Sequence, residues 1–380
     1  MSHPLSVYLH IPFCVSKCNY CSFISFANCD KTIPAYVQAL QTEISLRRVE
    51  CEVVQSVYLG GGTPSLLPVS SISEILNTLR QNYHITDTAE ITIEANPDTI
   101  SLPHLTMLKG IGINRLSIGI QSFNEADLKI LGRTHTAHKA ISSIEKAKRA
   151  GFYNISIDLM YGIPERKPED WVSIVERALS SGVEHISIYG LTIDLGTKLH
   201  EMMMSGSVKS QIDDASADEY EVACAMLSKA GFIQYEISNW AKPNHESRHN
   251  TAYWKRHPYI GYGVAAHSFL LSKRFANTSD IDKYIKYLDS GQIPPQSIEN
   301  IDKNLALSES IILGLRLNCG VATEEILSLY GVDVFNYFSE QIEECLSHGL
   351  LERIGNTIRL TSRGRLLSNE VFWRFLPDNK

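Results

Sequence analysis

The sequence predicts an α/β fold, a partial (β/α)6 barrel followed by a smaller, mostly helical C-terminal domain with a winged-helix-like hairpin. Three features of the chain support this prediction. Short runs rich in β-branched residues alternate with longer stretches of helical periodicity through the first half. Polar side chains stand at or near the carboxyl ends of those runs. After DSGQIPP (289–295) the helical patterns continue without intervening strands.

Strand–helix units account for the first half of the chain. Alternation of this kind implies parallel strands joined by right-handed helical crossovers, and the number of units falls short of a closed eight-unit barrel. The predicted strands are 6–11, 56–60, 90–96, 115–121, 154–162 and 185–193. The predicted helices are 34–49, 72–83, 102–112, 140–151 and 168–182, the fourth being the second of two short helices.

The C-terminal part is predicted to contain helices within 305–321, 323–331 and 334–349, and a hairpin across Gly355-Asn356. This set resembles a winged helix, which raises a nucleic acid as an alternative partner. Residues 300–380 carry eight Lys and Arg against eleven Asp and Glu, the opposite of a phosphate-binding surface. We therefore interpret this part as a lid or partner-docking module, and expect no nucleic-acid partner.

The patterns divide the chain into three parts. We expect a core domain at 1–232, a connecting segment at 233–295 and a C-terminal domain at 296–380.

The composition is that of an ordinary globular protein, with 44% hydrophobic and 20% charged residues and a net charge of −7. No apolar run approaches the ~18 residues of a membrane span. The stretch MSHPLSVYLH lacks the basic and apolar regions of a secretory signal. We expect a cytoplasmic protein that spans no membrane. Clustered cysteines in that reducing compartment are more readily explained as metal ligands than as disulfides.

Cys14, Cys18 and Cys21 form a C-x3-C-x2-C pattern directly after the first strand. Three thiolates at this spacing could hold zinc or an iron–sulfur cluster. A structural zinc site needs a fourth ligand, and His10, inside the predicted strand, is poorly placed to supply it. Three ligands with an open fourth position suit a [4Fe–4S] cluster. The remaining cysteines are predicted to be buried singly, at positions 29, 51, 224, 319 and 345.

Polar residues stand late in the other predicted strands or just after them: Glu94, Gln121, Asp158 and Tyr189. Ligands of parallel α/β folds bind at the carboxyl ends of strands, so this edge is the predicted site. The run YLGGGTPSLL follows the second strand and lacks the residues of a Walker A or G-x-G-x-x-G loop. Taken alone it indicates either a tight turn or a backbone that approaches a ligand closely.

These motifs together resemble the radical S-adenosylmethionine superfamily. YLHIPFC, YLGGGTPS, IEANPDT, RLSIGIQSF, LGRTH and IDLMYGIP resemble its oxygen-independent coproporphyrinogen oxidase group over at least residues 7–165. The resemblance implies a [4Fe–4S] cluster on Cys14, Cys18 and Cys21, with S-adenosylmethionine on the fourth iron. It places around S-adenosylmethionine the residues Tyr8, Tyr20, Gly61, Gly62, Thr63, Glu94, Gln121, Arg133 and Asp158.

Two branches of that group differ at positions that the sequence shows. The oxidases carry a fourth cysteine two residues after the third, where this chain has Phe23, and a longer segment before the cluster motif. The stretch HNTAYW matches the H-N-x-x-Y-W motif of the heme-chaperone branch, which implies heme contacts from His249, Asn250, Tyr253 and Trp254. Imidazole is a common heme ligand, and flat aromatic rings suit a macrocycle.

The implied function is therefore a heme chaperone that transfers heme to an acceptor protein. The alternative is a coproporphyrinogen oxidase, a radical enzyme that decarboxylates porphyrinogen propionates. A third class, RNA modification, is disfavoured by the net charge of −7.

Overall fold

A computed structural model describes residues 4–50, 53–209 and 213–377. The strands of the first half are β1 Leu5–Ile11, β2 Phe13–Cys14, β3 Phe26–Ala27, β4 Val54–Gly61, β5 Ile85–Ala95, β6 Arg115–Gln121, β7 Ile155–Tyr161 and β8 His185–Gly190. The helices are α1 Ile33–Leu46, α2 Val69–Asn82, α3 Leu102–Gly110, α4 Glu125–Leu131, α5 Ala137–Arg149, α6 Pro168–Ser180, α7 Lys198–Met204 and α8 Asp213–Lys229. Short 3-10 helices span Asp30–Thr32 and Pro64–Leu66.

The parallel core predicted from the sequence is confirmed. Strands β1, β4, β5, β6, β7 and β8 lie side by side in that order, and each neighbouring pair is parallel. The strands therefore form the partial (β/α)6 barrel, with helices packed on the outer face of the sheet. Strand β5 starts earlier than the predicted 90–96, at Ile85.

The two faces of the core strands have opposite character. In β1 the outward side chains Leu5, Val7, Leu9 and Ile11 are fully buried and belong to the main hydrophobic cluster beneath the helices. The alternate side chains point into the barrel, where polar groups predominate. This period of two is the ordinary consequence of strand geometry. It places the apolar core outside the barrel and the chemistry inside it.

Residues 233–300 form β9 Ile233–Glu236, β10 Asn239–Ala241, α9 Arg248–Trp254, β11 Tyr259–Tyr262, β12 His267–Leu270, β13 Lys273–Asn277, α10 Ile281–Asp289 and β14 Gln296–Asn300. Strand β10 joins β8 at one edge of the core, and β11 pairs with β1 in parallel at the other. The segment expected to be a connector therefore extends the sheet on both sides, to twelve strands in the described parts of the chain.

The C-terminal part has a hydrophobic cluster of its own, between Leu307 and Phe375. Its elements are α11 Lys303–Leu315, β15 Val321–Ala322, α12 Thr323–Tyr330, α13 Val334–Tyr337, α14 Ser339–Ser347, β16 Leu351–Ile354, β17 Thr357–Leu360, α15 Ser362–Leu366 and α16 Ser368–Arg374. The predicted hairpin is β16–β17, and β15 joins it in a small sheet. The predicted helix at 334–349 is divided into two at Phe338. The domain limits given above stay predictions.

The single cysteines show mixed burial. Cys345 is buried as predicted, whereas Cys29 and Cys224 are only partly covered. The prediction is wrong for Cys319, which is exposed. It follows α11 in the turn before β15, so its side chain lies outside the C-terminal cluster. Position 51 lies outside the described residues. Among the described residues, no helix has both the length and the apolar character needed to cross a membrane.

A buried carboxylate ties α1 to the later part of the sheet. Glu43 is fully buried and pairs with Arg47. It accepts hydrogen bonds from the backbone N–H of Gly263 at 2.8 Å, the hydroxyl of Tyr284 at 2.6 Å and the side-chain amide of Asn277 at 2.6 Å. These contacts hold the loop after β11 and helix α10 against α1. Strand β11 is thereby fixed beside β1.

We predict that Glu43→Ala lowers the free energy of unfolding by about 3–5 kcal/mol, because Arg47 and the Tyr284 hydroxyl lose their buried partner. Urea unfolding measures the loss. Glu145→Ala, at an exposed position of α5, is the control and should change stability by no more than about 0.5 kcal/mol. Equal stability of the two variants would contradict the role assigned to Glu43.

Candidate functional site

An open cavity of about 410 Å³ lies at the carboxyl ends of the core strands. It brings together most of the residues that the sequence singles out, from six separate segments of the chain. The lining includes Cys14, Cys18, Tyr20, Cys21, Gly61, Gly62, Thr63, Glu94, Gln121, Arg133, Asp158 and Asn250. The other predicted residues lie outside the lining: Tyr8, His249, Tyr253 and Trp254.

The cysteine loop leaves the barrel through β2 and is held from both sides. On one side, Asn19 donates through its backbone N–H to the carbonyl of Leu131 at 2.9 Å and through its side chain to that of Ile130 at 2.8 Å. On the other side, the hydroxyl of Thr63 donates to the sulfur of Cys14 at 3.7 Å. The loop is therefore fixed by protein contacts alone.

The glycine run after β4 is required by close packing against this loop. A Cβ on Gly62 would lie 2.7 Å from the carbonyl oxygen of Phe13 and 3.0 Å from the sulfur of Cys14. Gly61 has a φ of 115°, which favours glycine, and its N–H donates to Glu94 Oε2 at 3.1 Å. The tight turn is therefore present, and a close approach of this backbone to a ligand stays a prediction.

The LGRTH motif turns an arginine toward the cysteines. Gly132 ends α4 in the left-handed conformation, with a φ of 70°. Arg133 follows, and its Nη1 lies 3.3 Å from the sulfur of Cys18. Its Nη2 donates to Asn96 Oδ1 at 2.7 Å and to the carbonyl of Gly119 at 2.6 Å. A fixed cation therefore stands between the cysteine loop and the strand ends.

Two carboxylic acids face the cavity. Glu94 accepts a hydrogen bond from the Tyr58 hydroxyl at 2.9 Å, and burial raises the pKa of Glu94 to about 7. Burial also raises the pKa of Asp158, which accepts from the Ser117 hydroxyl at 3.3 Å. Near neutral pH, Glu94 therefore exchanges a proton readily. Both acids can accept hydrogen bonds from an amine or a ribose.

His10 is occupied away from the cysteines, as expected from its place in the strand. Its Nδ1 lies 3.1 Å from the Tyr8 hydroxyl, and its Nε2 lies 2.9 Å from the carbonyl oxygen of Ile24. Tyr8 also stacks on Tyr58, with ring centroids 6.2 Å apart. Tyr8 and His10 therefore form the layer behind the cavity wall.

The three thiols fit an iron–sulfur cluster. Burial raises the pKa of Cys14 and of Cys21, so binding a metal there releases protons. Across residues 4–50, 53–209 and 213–377, no three His, Cys, Asp or Glu side chains are close enough to hold one metal ion. A four-iron cluster takes each thiolate on a different iron, so its ligands need not converge on one point. Thiols spread around a cavity suit that larger group.

The HNTAYW segment lies in helix α9, which packs against β4. His249 is buried; its Nδ1 lies 3.0 Å from the Ser56 hydroxyl and its Nε2 lies 2.8 Å from the Tyr253 hydroxyl. Its ring stacks on Tyr58, with centroids 5.0 Å apart. Burial lowers the pKa of His249 to about 3, so the imidazole is neutral. Both ring nitrogens therefore already have hydrogen-bond partners.

The ends of α9 fix its position. At the start, Glu90 of β5 accepts hydrogen bonds from the backbone N–H groups of Arg248 at 3.1 Å and His249 at 3.2 Å. At the end, Trp254 stacks beneath Arg316, whose guanidinium carbon lies 4.2 Å from the ring centroid. The helix thus spans from the barrel to the C-terminal part. Asn250 is the member of the motif that reaches the cavity.

Comparison with known proteins gives the family. A model of the radical SAM superfamily matches residues 8–203, and one of the HemN C-terminal domain matches residues 301–367. A chain of Lactococcus lactis named heme chaperone HemW is 34% identical over 379 residues, covering 100% of this chain and 99% of that one. The chain belongs to the HemW family of the radical SAM superfamily.

Two further proteins support this family assignment and the fold. The heme chaperone HemW of Bacillus subtilis is 32% identical and covers 98% of this HemW-family chain and 99% of its own. A structure of HemN from Escherichia coli, titled a coproporphyrinogen III oxidase and radical SAM enzyme, superposes with a TM-score of 0.86 at 24% identity. It covers 98% of this chain and 90% of its own, and shows the fold.

Sequence reasoning missed several residues that line the cavity of this HemW-family chain. They include Tyr58, Asn96, Arg115, Ser117 and Ser187. A signal for them exists in the strands themselves, because RLSIGIQ, ISIDL and HISIY place a polar or small residue at every second position. Alternation shows which residues share the inner face, whereas the strand-end rule finds only the last of them.

We predict that Glu94→Gln becomes progressively more stable than the wild type as pH rises from 4.5 to 7. Folding raises the pKa of Glu94 from 4.5 to about 7, so the wild type loses stability over that window while the amide does not. Relative to the wild type, the variant should gain about 2 kcal/mol between these limits, since the open cavity solvates the carboxylate in part. Urea unfolding across pH 4–8 measures it, with exposed Glu145→Gln as control. A constant difference across that range would contradict the shift.

Proposed function

We propose that this chain is a heme chaperone, which binds a [4Fe–4S] cluster and S-adenosylmethionine in the cavity, binds heme, and transfers the heme to an acceptor protein. The observation that carries the proposal is the full-length similarity to chains named heme chaperone HemW, joined to a cavity that three thiols line. Free thiols of this kind also fit a reducing, cytoplasmic compartment.

The resident groups have clear candidates for their ligands. Cys14, Cys18 and Cys21 would hold the cluster, with one iron open to the amino and carboxylate groups of S-adenosylmethionine. Such a cluster supplies one-electron chemistry to whatever ligand it holds. The position of Arg133 suits the carboxylate of S-adenosylmethionine, because a fixed guanidinium can bind it with two hydrogen bonds.

The remaining cavity residues suit the rest of S-adenosylmethionine. Glu94 would accept from the amino group and Asp158 from the ribose, and Gln121, which also lines the cavity, would border them. The segment Gly61–Thr63, which lines the cavity, would border the methionine part. Tyr20 would border the site.

The contact of heme with HNTAYW stays a proposal. In this structure, iron ligation by His249 Nε2 requires that the nitrogen exchange the Tyr253 hydroxyl for iron, since the two atoms lie 2.8 Å apart. Asn250, which lines the cavity, would then lie at the edge of the heme site.

Phe23 distinguishes this chain from the coproporphyrinogen oxidases. It occupies the position of the fourth cysteine in the oxidases, its side chain is 68% exposed, and it lies at the rim of the cavity. An apolar ring at the rim offers a contact surface for a flat macrocycle rather than a further thiol. We therefore expect no formation of protoporphyrinogen from coproporphyrinogen under anaerobic, reducing conditions. Steady turnover in that assay would favour the oxidase.

We predict that replacing Cys14, Cys18 and Cys21 together by alanine abolishes cluster binding. After anaerobic reconstitution, the wild type should hold about four irons per chain and absorb broadly in the visible range, as a [4Fe–4S] cluster does. The triple variant should hold none. Cys319→Ala removes an exposed thiol away from the cavity and is the matched control. Iron retained by the triple variant would place the ligands elsewhere.

For heme, the test is an anaerobic titration of the reconstituted wild type, His249→Gln and Tyr253→Phe. We expect about one heme per chain in the wild type, and at least a tenfold loss, about 1.4 kcal/mol, in His249→Gln. Tyr253→Phe frees Nε2 and should bind heme no more weakly. Iron content and melting temperature control for folding.

The outcomes of the titration separate the alternatives. An identical Soret band in wild type and His249→Gln would mean that His249 supports the cavity without touching iron. No saturable heme binding by the wild type would overturn the proposed function.

A further inference from the structure

A cation without a partner lies inside the barrel. Arg115, the first residue of β6, is 2% exposed and is among the residues that line the cavity. Its Nε is buried and has no hydrogen-bond partner. Throughout the described parts of the chain, no carboxylate comes within ion-pair distance of Arg115, and no side chain hydrogen-bonds to it.

The other enclosed arginines of this region contrast with Arg115. Arg166, also buried, pairs with Asp127 at 3.0 Å and with Glu219 at 3.2 Å. Arg133, at the cysteine loop, makes contacts to sulfur, to an amide and to a carbonyl. Arg166 therefore has two acidic partners, and the terminal nitrogens of Arg133 have three acceptors although its Nε has none. Arg115 has neither an acid nor such acceptors among the described residues.

The nearest acids of the barrel are engaged with other groups. Glu94 accepts from the Tyr58 hydroxyl and the Gly61 N–H, and Asp158 accepts from the Ser117 hydroxyl. They feel the charge of Arg115, which acts to lower the pKa of both, but neither forms an ion pair with it. Burying a charge without a partner is costly, and such a charge persists where a ligand completes it.

We propose that Arg115 binds a carboxylate of the ligand that fills the cavity. A guanidinium presents two parallel N–H donors to a carboxylate, and enclosure strengthens that pair. Arg133 lies at the cysteine loop. Arg115 begins strand β6, six residues before Gln121 at the carboxyl end of that strand, so the two cations lie at different depths of the cavity. Arg115 thereby selects ligands whose carboxylate reaches the barrel interior.

This proposal rests on the proposed function, because both ligands named there carry the required group. S-adenosylmethionine has one carboxylate, for which Arg133 is already the candidate, and heme has two propionates, so heme is the favoured source. The chemistry that Arg115 recognises is the same in either case, so matched ligand pairs must distinguish the source.

The experiment uses the full chain with its cluster reconstituted, as wild type, Arg115→Gln and Arg115→Lys. Each protein is titrated anaerobically with two pairs of ligands. One pair is S-adenosylmethionine and its decarboxylated form; the other is heme and heme dimethyl ester. The quantity measured is the ratio of dissociation constants within a pair. Arg133→Gln is titrated in parallel, to show what the cation at the cysteine loop contributes to the same ratio.

We expect the wild type to prefer the carboxylate-bearing member of one pair by at least tenfold. Arg115→Gln should remove that preference by weakening this member alone. Arg115→Lys keeps the charge without the planar fork and should fall between them. The pair that responds identifies the source of the carboxylate.

A ratio that stays unchanged in both pairs, or an equal weakening of both members, would overturn the proposal. This outcome differs from failure of the proposed function. A chain that binds no heme would fail as a chaperone, while the S-adenosylmethionine pair would still decide the role of Arg115. Iron content and melting temperature of each variant exclude loss of fold as the cause.

Discussion

The contact between the glycine run and the cysteine loop is the constraint on which the rest of the site depends. Strands β1 and β4 are neighbours, so the loops that leave them compete for the same space. Without side chains at Gly61 and Gly62, the two backbones lie against each other, and Thr63 N–H bonds to the carbonyl of Phe13 at 2.7 Å. Placing the thiols beside the acids of β5 and β7 follows from that approach.

A second theme is the division of labour between the two faces of each strand. The outer face supplies the apolar area that stabilises the barrel against its helices, and the inner face carries hydroxyls, acids and Arg115, whose Nε has no hydrogen-bond partner. Such an interior is costly for a chain that only has to fold, since polar groups lose water without full compensation. Groups left short of partners around a cavity are typical of sites that a ligand completes.

Much of this was predictable from residue patterns. The alternation of strands and helices gave the parallel core, and the motifs at the strand ends gave the thiols, Glu94, Gln121, Arg133 and Asp158. The edge strands β9–β14 were missed because each is only three to five residues long and carries little alternation. Arg115 was missed because it begins its strand, and only side-chain length brings its charge to the cavity. The burial of His249 could not be predicted either, because the sequence shows the residue types of HNTAYW and not how they pack against the barrel.

The parallel pairing of β11 with β1 protects the chain against aggregation through the edge of β1. Strand β1 leads directly into that loop, and without residues 259–262 it would form a bare sheet edge. An uncovered strand offers its N–H and C=O groups to any other chain, and aggregation begins at such edges. Strand β11, held in place through Glu43, therefore covers the edge of β1, the strand that leads into the cysteine loop. This protection is not evident from the sequence, because β1 and β11 are some two hundred and fifty residues apart along the chain.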